Sequence, residues 1–592
     1  MTTRRPMYAC LLSLFIAACG GGDGDGAPSE PGTASAPQEA GEGTASTGKT
    51  HWTNDQPIGL GMGPVDSAML ERGLEDPTQW LLYGGNYSNF RHSPIERLTP
   101  EAVPNLQVAW SFPTGTDQQF EVSPVVYDGI MYISSSYNRL FALDAASGEA
   151  LWRYDHPQPP DLLYCCGPVN RGVAISGDAV IMATLDARII AFHRHTGEIL
   201  WNTEIIDYHG GYAATGVPLV VGDLAIIGIA GGEYGIRGFF DAYSVATGER
   251  VWRHYTVPAT GEPGVETWSG TSYETGGAPT WNQGAYDPET NTLFWTTGNP
   301  GPDWNGDVRL GDNLYSDAVI AVDPATGERK WYFQFTPHDV WDYDGNTQIF
   351  LIDVIRNGRE VKALVQPNRN GYFYILDRTD GSFISAVPYV QANWATIAED
   401  GRPIVNEAAM PTEDPNELVC PSHLGGMNGA WTGALNPGLG LAFIPAVESC
   451  EYYQKGITAF VPGQMFLGGL YQLIDVQEGR AFGVLAAIDV ATGETRWRYQ
   501  DPVPLMGGTL STEGGVVITG NQLGFALAFN ADTGEEVWRH RLGGGIRSQP
   551  IAYEADGRTF VAIGSGNGRF LESTGAPDIV PEGGQLFVFE LP

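Results

Sequence analysis

The fold is decided by a stretch that reads Ala142-Leu-Asp-Ala-Ala-Ser-Gly-Glu-Ala-Leu-Trp152. An Ala, a short polar turn that contains Gly, and a Trp ten residues after the Ala recur along the chain. Further copies run over Ala191–Trp201, Ala242–Trp252, Ala321–Trp331, Ala487–Trp497 and Ala528–Trp538. A degenerate copy over Tyr374–Gly381 lacks the Trp. Each copy is typical of a strand, a tight turn and a second strand.

These tryptophan-docking repeats predict an all-β, eight-bladed β-propeller. A β repeat of roughly 40 to 50 residues cannot bury both faces of its sheet alone, so four-stranded antiparallel blades must cover one another. The repeated Trp is then a packing residue between blades rather than a ligand contact. Seven copies are visible, and the segment 395–480 is long enough for an eighth blade. We expect the strand 585–591 to pair with 107–112 and close the ring, which leaves no open edge.

The composition agrees with many short strands and limits the choice of partners. The 592 residues include 78 Gly and 40 Pro, and only 17% are charged, which suits tight turns better than long helices. The formal net charge is −37, so we expect no nucleic acid partner, because the phosphates would be repelled. The acidic balance favours a basic redox partner, or it simply keeps an exported protein soluble.

The N-terminus has the pattern of an export signal. In residues 1–19, two arginines precede the apolar stretch 11–18, which is too short to cross a bilayer as a helix. The sequence Ile-Ala-Ala-Cys that ends at Cys19 resembles a bacterial lipobox, which predicts a lipid anchor to the membrane and a periplasmic location. The alternative is an ordinary cleaved signal in which Cys19 is incidental. Residues 20–75 are expected to be a flexible low-complexity tether, and 76–592 the propeller.

Six cysteines bear on the compartment and on possible cross-links. Two of them, Cys10 and Cys19, lie in the signal segment. The four that remain are Cys165, Cys166, Cys420 and Cys450. An even number in an exported chain indicates disulfides, and four cysteines allow three pairings.

Three short loops carry groups that are suited to a metal or a cofactor. The sequence Trp-Asp-Tyr-Asp-Gly contains Asp342 and Asp344, which would point to the same side of an extended segment. Glu233 stands among glycines, which let the backbone approach a flat ligand closely. Asn299, in Thr-Thr-Gly-Asn-Pro-Gly-Pro, offers an amide oxygen to a hard cation. Each loop by itself is equally typical of a surface turn.

Together these features resemble the methanol and ethanol dehydrogenases that depend on pyrroloquinoline quinone (PQQ). The resemblance runs from about Trp80 to the C-terminus. Residues 80–93 read Trp-Leu-Leu-Tyr-Gly-Gly-Asn-Tyr-Ser-Asn-Phe-Arg-His-Ser and match the opening motif of that family. The runs 297–302 (Thr-Gly-Asn-Pro-Gly-Pro), 311–315 (Gly-Asp-Asn-Leu-Tyr) and 335–339 (Phe-Thr-Pro-His-Asp) are specific to it.

The resemblance implies where PQQ would bind. A disulfide between Cys165 and Cys166 would lie on one face of the quinone and Trp281 on the other. Arg369 matches the residue near the reactive C5 carbonyl, and Asn393 is a weaker match near the same end. The other cofactor contacts that the resemblance implies are Glu121, Arg171, Thr215, Gly231 and Gly232. It also pairs Cys420 with Cys450 in a second, structural disulfide.

The resemblance further implies a metal ion held by Glu233, Asn299, Asp342 and Asp344. Calcium-dependent relatives typically have Ala at the position of Asp344, whereas lanthanide-dependent relatives have Asp. An added carboxylate crowds like charges unless the ion is more highly charged, since one unit-charge attraction at about 4 Å contributes roughly 4 kcal/mol at an effective dielectric near 20. A trivalent lanthanide is therefore favoured. The alternative is a Ca²⁺ site with Asp344 turned to solvent.

The reaction implied by the resemblance is the oxidation of an alcohol to an aldehyde or ketone. Asp342 would take the alcohol proton, hydride would pass to C5 of PQQ, and Arg369 would stabilise the negative charge that develops there. The sequence has no Cys-x-x-Cys-His motif, so we expect electrons to leave to a separate cytochrome c. Whether the chain forms a homodimer stays open.

A second function is compatible with the same architecture. Outer-membrane assembly lipoproteins are also lipidated eight-bladed propellers with similar repeats, and they act as non-catalytic scaffolds. They need neither adjacent cysteines nor a carboxylate pair. The combination of Cys165, Cys166, Asp342 and Asp344 therefore favours the enzyme.

Overall fold

The structure is a computed structural model that describes residues 49–52, 59–473, 482–566 and 583–592. The predicted signal, including Cys19, and the predicted tether up to residue 48 lie outside the described residues. The end of the predicted tether is not a linker. Residues 67–72 form the helix α1 (Ser67–Arg72), which Asp66 caps by accepting a 2.8 Å hydrogen bond from the Met69 N–H. Its Leu70 is buried in the core of the first blades, so the folded body begins before residue 76.

The strands are named in chain order, and each blade takes its number from its order in the chain. Three strands precede the first complete blade: β1 (Lys49–Trp52), β2 (His92–Ser93) and β3 (Gln107–Pro113). Blades 1 and 2 are β4 (Val125–Tyr127), β5 (Ile130–Ser135), β6 (Arg139–Asp144), β7 (Ala150–Asp155), β8 (Ala174–Ser176), β9 (Ala179–Ala183), β10 (Arg188–His193) and β11 (Ile199–Glu204). Blades 3 and 4 are β12 (Leu219–Val221), β13 (Leu224–Gly228), β14 (Phe239–Ser244), β15 (Arg250–Tyr255), β16 (Ala285–Asp287), β17 (Thr292–Thr296), β18 (Ala318–Val322) and β19 (Arg329–Gln334).

The second half of the chain continues the pattern with two additions. Blade 5 is β20 (Phe350–Arg356), β21 (Arg359–Pro367), β22 (Tyr372–Asp377) and β23 (Phe383–Pro388), and the small pair β24 (Ala395–Ile397) and β25 (Pro403–Val405) follows it. Blade 6 is β26 (Ala434–Asn436), β27 (Leu441–Glu448), β30 (Phe482–Asp489) and β31 (Thr495–Asp501), with the pair β28 (Glu451–Lys455) and β29 (Gly469–Leu473) between its strands. Blades 7 and 8 are β32 (Leu510–Thr512), β33 (Val516–Gly520), β34 (Phe525–Asn530), β35 (Glu536–Arg541), β36 (Ile551–Ala555), β37 (Arg558–Ser565) and β38 (Gln585–Leu591), and β3 completes blade 8.

Single turns of 3₁₀ helix punctuate the loops. They lie at Gly73–Glu75, Val103–Asn105, Tyr208–Gly210, Gly232–Tyr234, Val265–Thr267, Ser272–Thr275, Gly306–Val308 and Glu407–Ala409. In the part of the chain that the structure describes, no helix is long and apolar enough to span a bilayer.

Repeated Trp residues join neighbouring blades, as predicted. The Trp152 indole donates a 3.0 Å hydrogen bond to the carbonyl of Arg194, in the turn of blade 2, and Trp252 donates in the same way to Pro324 of blade 4. The repeat glycine of the following blade lies against the indole face, because a Cβ at Gly327 would stand 2.7 Å from the Trp252 ring. The Ala–Gly–Trp spacing therefore encodes contacts between blades.

The closing strand pair is confirmed, whereas the predicted position of the eighth blade is wrong. β38 pairs antiparallel with β3 and completes blade 8 across the ends of the chain. The segment 395–480 supplies only β26 and β27 to blade 6, together with the two small strand pairs. Each repeat copy covers only the two outer strands of a blade. In blade 6 the copy that begins at Ala487 covers β30 and β31, so it does not indicate that the inner strands β26 and β27 lie at 434–448, well before it. Blade 8 has no copy because its outermost strand is β3.

Candidate active site

The adjacent cysteines form a disulfide in the loop between blades 1 and 2. Their two sulfurs and one carboxylate oxygen of Glu233 all lie within 4.8 Å of one another. A disulfide has no thiolate to offer to a metal, so the pair acts as a compact apolar surface beside that carboxylate. The second predicted disulfide, Cys420–Cys450, is also present.

At one end of the site, two arginines contact the same carboxylate. The buried Glu121 carboxylate lies between two arginines, 2.9 Å from Nη2 of Arg171 and 2.8 Å from Nη2 of Arg547. Arg171 also donates a 2.8 Å hydrogen bond to Oγ1 of Thr215. Two guanidinium groups thus share a single carboxylate, and we call this set of residues the cationic end. It is suited to the carboxylates of an acidic ligand.

Trp281 links this end to the opposite side of the site. The guanidinium carbon of Arg171 lies 4.8 Å from the centre of the indole, and the indole N–H donates a 3.2 Å hydrogen bond to Oδ2 of Asp344. The far edge of the ring lies against Gly429, where a Cβ would approach it to 2.5 Å. Packing on one edge and a hydrogen bond on the other fix the plane of the ring.

The opposite side of the site is built from carboxylates. We call the buried or nearly buried acids Glu233, Asp303, Asp317, Asp339, Asp342 and Asp344 the carboxylate cluster. Asn299 belongs beside them, because its Nδ2 donates a 2.9 Å hydrogen bond to Asp303 and its Oδ1 lies 3.5 Å from the place a Cβ would take on Gly232. The amide oxygen therefore points toward the turn that bears Glu233.

Glycine makes that turn feasible. The backbone has a φ of 117° at Gly231 and 66° at Gly235, values that side chains larger than hydrogen rarely allow. Between them Gly232–Tyr234 forms a single 3₁₀ turn that carries Glu233. Burial and the charge of Asp344 raise the pKa of Glu233 to about 7, although Arg369 opposes the shift.

The side chains of Asp342 and Asp344 converge as predicted, but the backbone conformation that directs them differs from the predicted one. Both are in the left-handed region, with φ of 57° and 47°, rather than in an extended segment. Asp339 shapes this turn by accepting hydrogen bonds of 2.9 and 2.8 Å from the N–H groups of Trp341 and Tyr343. Both side chains still face Arg369, so the predicted convergence holds although its predicted geometric reason is wrong.

Arg369 is the one arginine that touches the Asp342–Asp344 pair among the described ion pairs. Its Nη2 lies 3.6 Å from Asp342 and its Nη1 lies 3.2 Å from Asp344. Burial raises the pKa of Asp342 well above its usual range, the charge of Arg369 opposes that rise, and the neighbouring carboxylates reinforce it. Burial likewise raises the pKa of Asp303, with a further rise from Glu233.

The cluster contains more negative than positive charge. Six carboxylates surround two buried guanidinium groups, those of Arg369 and of Arg309, which contacts the carbonyl of Asp303. Oδ1 of Asp344 is buried and finds no hydrogen-bond partner among the described residues. Orphaned oxygen atoms in an acidic site are costly unless a cation offsets them. The oxygen donors fit a hard, multiply charged ion, and the cationic end with the indole and disulfide surfaces fits a flat, acidic quinone.

The predicted cofactor contact Asn393 lies on the loop beside the second disulfide. Asn393 is exposed, and its side chain accepts a 2.8 Å hydrogen bond from the Cys420 N–H and donates a 2.9 Å bond to the Leu418 carbonyl. It braces that loop.

Two charged residues were missed by the sequence reasoning. Asp303 follows the Asn-Pro-Gly-Pro run directly, so the same loop could have suggested it. Arg547 lies in a glycine-rich stretch without any motif, and only closure of the ring brings it to Glu121.

Comparisons with known proteins agree with this geometry. The family described as "PQQ: Glucose/ethanol/alcohol dehydrogenase, beta-propeller domain" matches residues 80–402, and "Outer membrane protein assembly factor BamB" matches the repeats in 481–576. Quinoprotein alcohol dehydrogenase PedH of Pseudomonas putida is 39% identical, over 90% of this chain and 94% of its own length. The lanthanide-dependent methanol dehydrogenase of Methylacidiphilum fumariolicum is 33% identical, over 86% and 88%. A solved structure of a europium-containing methanol dehydrogenase superposes with a TM-score of 0.84 at 32% identity, over 88% of this chain and 100% of that one.

Fold, site and relatives define a quinoprotein dehydrogenase of the propeller type. The chain belongs to the PQQ-dependent alcohol dehydrogenase family, and its reaction is the oxidation of an alcohol. The scaffold alternative is thereby set aside.

Proposed function

We propose that this dehydrogenase works with a trivalent lanthanide beside PQQ, with Asp342 as the catalytic base. The observation that carries the proposal is the convergence of Glu233, Asn299, Asp342 and Asp344. Oδ1 of Asp344 is buried without a partner among the described residues, and Asp344 is only 10% exposed in its side chain. A Ca²⁺ site with Asp344 turned to solvent fits these facts less well.

Charge supports the choice of metal. Removing Asp344 would leave a site with the donors that a divalent ion prefers, whereas its presence adds an attraction of roughly 4 kcal/mol at about 4 Å for each added unit of ionic charge. Two of the relatives described above carry the words lanthanide-dependent and europium-containing in their names. We extend that property to this chain.

PQQ would be held by the two ends of the site. Arg171 and Arg547 both contact Glu121, and their guanidinium groups would bind the carboxylates of the quinone. Trp281 and the Cys165–Cys166 disulfide would provide flat apolar surfaces for the quinone, and Thr215, Gly231 and Gly232 would make its polar and backbone contacts. When bound, PQQ supplies a two-electron acceptor and the metal supplies a Lewis acid.

The residues of the chain then have separate tasks. The Asp342 side chain is 17% exposed, more than that of Asp344, so it can meet an incoming alcohol and take the hydroxyl proton on its carboxylate. Arg369 holds both aspartates in place. Its Nε has no partner among the described residues, so one N–H remains to stabilise an oxygen that gains negative charge.

The first test is metal-dependent activity of the purified chain. We expect dye-linked oxidation of ethanol after addition of PQQ and La³⁺, a lower rate with Ca²⁺, and loss of the rate when a chelator removes the metal. A rate that Ca²⁺ supports fully and La³⁺ does not would overturn the lanthanide assignment. Absence of quinone binding, followed by the visible absorbance of PQQ after gel filtration, would overturn the proposed cofactor site.

We further propose export to the periplasm, a lipid anchor at Cys19 and a separate cytochrome c as electron acceptor. Cys19 ends the lipobox-like sequence, and the sequence contains no haem-attachment motif. Cells that express the native chain should incorporate a clickable palmitate analogue into it, and Cys19→Ala should abolish both the label and membrane association. A soluble, unlabelled native protein would contradict the anchor. Reduction of added cytochrome c by the loaded enzyme without a dye tests the acceptor.

A further inference from the structure

An insertion in blade 6 lies over the outer ends of the loops that build the site. It begins after β27, and the Cys420–Cys450 disulfide anchors its base immediately before β28. β28 and β29 pair antiparallel. Between and along these strands, residues 456–471 form what we call the cap segment.

The cap segment contacts the turn that bears Glu233. The Phe466 N–H donates a 2.6 Å hydrogen bond to the Glu233 carbonyl. The Phe460 ring packs on Gly235, where a Cβ would stand 2.6 Å from a ring carbon. The rings of Phe460 and Phe466 meet edge to face with centres 5.5 Å apart. Aromatic side chains therefore lie directly outside a predicted metal ligand.

It also contacts the loops that follow Asn299 and precede Cys165. The backbone N–H of Trp304 donates a 2.9 Å hydrogen bond to the Leu467 carbonyl, and the centre of the Trp304 ring lies 4.9 Å from that of Tyr471. On the other side, a Cβ at Gly463 would stand 3.9 Å from Leu163, two residues before Cys165. One apolar segment thus borders three of the loops that position the site.

Much of this segment is apolar yet exposed. Ile457 is 86% exposed and Leu470 is 66% exposed. The other exposed apolar side chains of the segment are Phe460, Val461, Met465 and Tyr471. So many apolar side chains together at the edge of a site indicate a binding surface.

We infer that the cap segment selects alcohols that carry an apolar tail. The inference rests on the proposed function, which places the alcohol hydroxyl at Asp342. The alkyl chain of a longer alcohol would then extend from Asp342 toward the aromatic side chains outside Glu233 and Asn299. Contact with these side chains would remove the alkyl chain from water. Methanol has no tail and gains nothing from this surface.

The expected signature is a dependence of kcat/KM on chain length. Each methylene transferred from water to an apolar surface contributes about a fourfold gain. In a series from methanol to 1-octanol, measured with the PQQ- and metal-loaded enzyme, we expect kcat/KM to rise by about this factor per carbon over the first carbons and then level off. A flat or falling profile would overturn the inference.

Variants localise the effect. Met465→Ser and Phe460→Ala should each lower the ratio of kcat/KM for 1-hexanol to that for ethanol by about fourfold or more, the equivalent of one methylene. The matched control is Ile355→Ser, an exposed apolar residue on β20 (68% exposed), which should keep the native ratio. Thermal unfolding of all three verifies folding. An unchanged ratio in both folded cap variants would contradict the inference.

The outcomes also separate this inference from the proposed function. If no alcohol is oxidised with any added metal, the proposed function fails. If alcohols are oxidised with La³⁺ but the profile is flat, only the role of the cap segment fails.

Discussion

The blades and the site are built from opposite kinds of contact. In the blades, four of the repeated Trp residues donate their indole hydrogen to a carbonyl of the next blade, namely Trp152, Trp201, Trp252 and Trp497. In the site, six carboxylates crowd around two arginines, and a buried oxygen of Asp344 lacks a partner among the described residues. The blades therefore satisfy one another's contacts without a ligand, whereas the site is arranged for ligands that offset its charge. Substitutions should separate stability from activity accordingly.

The largest effect is expected for Asp342→Asn, which keeps the shape of the side chain and removes the base. Loss of a positioned general base costs about 10²–10⁴-fold in kcat. Stability of the cofactor-free protein should not fall, because one like charge leaves the cluster. The measurements are dye-linked kcat with 1-butanol and urea unfolding of the cofactor-free protein. A variant that keeps its rate within tenfold of native would show that another group takes the proton.

Trp152→Ala should lower stability and leave kcat nearly unchanged, the opposite of Asp342→Asn. Its indole is fully buried between blades 1 and 2, and such truncations lower the free energy of unfolding by about 3–5 kcal/mol. The kcat per folded molecule should stay near native, because Trp152 lies in the blades and not in the site. Leu200→Ala, at a half-exposed position on β11, is the control and should change stability by less than about 0.5 kcal/mol. Equal losses in the two variants would refute the role of the Trp between blades.

Asp344→Ala sharpens the contrast within the site. Removal of its charge should lower the preference for La³⁺ over Ca²⁺ by about 10²-fold, somewhat less than the roughly 4 kcal/mol of one added charge interaction at an effective dielectric near 20. The ratio of the rates supported by the two ions measures this preference. Asp532→Ala, on the exposed turn of blade 7, removes a charge far from Arg369 and should keep the native ratio. An unchanged ratio in Asp344→Ala would show that Asp344 does not contact the ion.

The fold could be predicted in large part because its signal is local. A spacing of ten residues from Ala to Trp identifies the outer strands of each blade that carries the repeat. It does not identify where a blade begins, so the sequence predicts a separate blade in the segment 395–480, which in fact supplies β26 and β27 to blade 6. Blade 8 pairs β3 with β38 from the two ends of the chain. The apolar strand at 585–591 predicted this pairing, whereas no repeat copy marks blade 8.

Site residues that stand in recognisable motifs could be predicted from the sequence. Residues that reach the site only through the folding of the chain could not. Glu233 and Asp342 stand in short runs of unusual composition, and the fold brings them together. Arg547 has no such run and reaches Glu121 only because the ring closes. Asn393 stays a prediction, since the structure shows its amide bonded to the loop at Leu418 and Cys420.

The smallest expected effect comes from a titratable group inside a blade. His254, on β15, donates from Nδ1 to the Gly327 carbonyl at 2.8 Å and packs on Phe240. Burial lowers its pKa to about 4, Arg329 adds to the shift, and Glu262 opposes it. The folded state therefore keeps His254 neutral, while the unfolded chain takes up a proton below about pH 6.5. Its contribution to stability is complete above that pH and is lost as the pH falls toward 4.

His254→Gln should therefore flatten the acid side of the stability profile. Between pH 7 and pH 5 the native protein should lose about 1–2 kcal/mol more of its free energy of unfolding than the variant does. The comparison residue is His209, which is exposed and whose pKa Asp207 raises, so that its protonation favours the folded state. His209→Gln should shift the slope in the opposite direction. The buried carboxylates of the site have raised pKa values, so their protonation favours the folded state as the pH falls and cannot replace the contribution of His254. If His254→Gln leaves the slope between pH 7 and pH 5 unchanged, the burial of a neutral His254 does not cause the acid sensitivity of the blades.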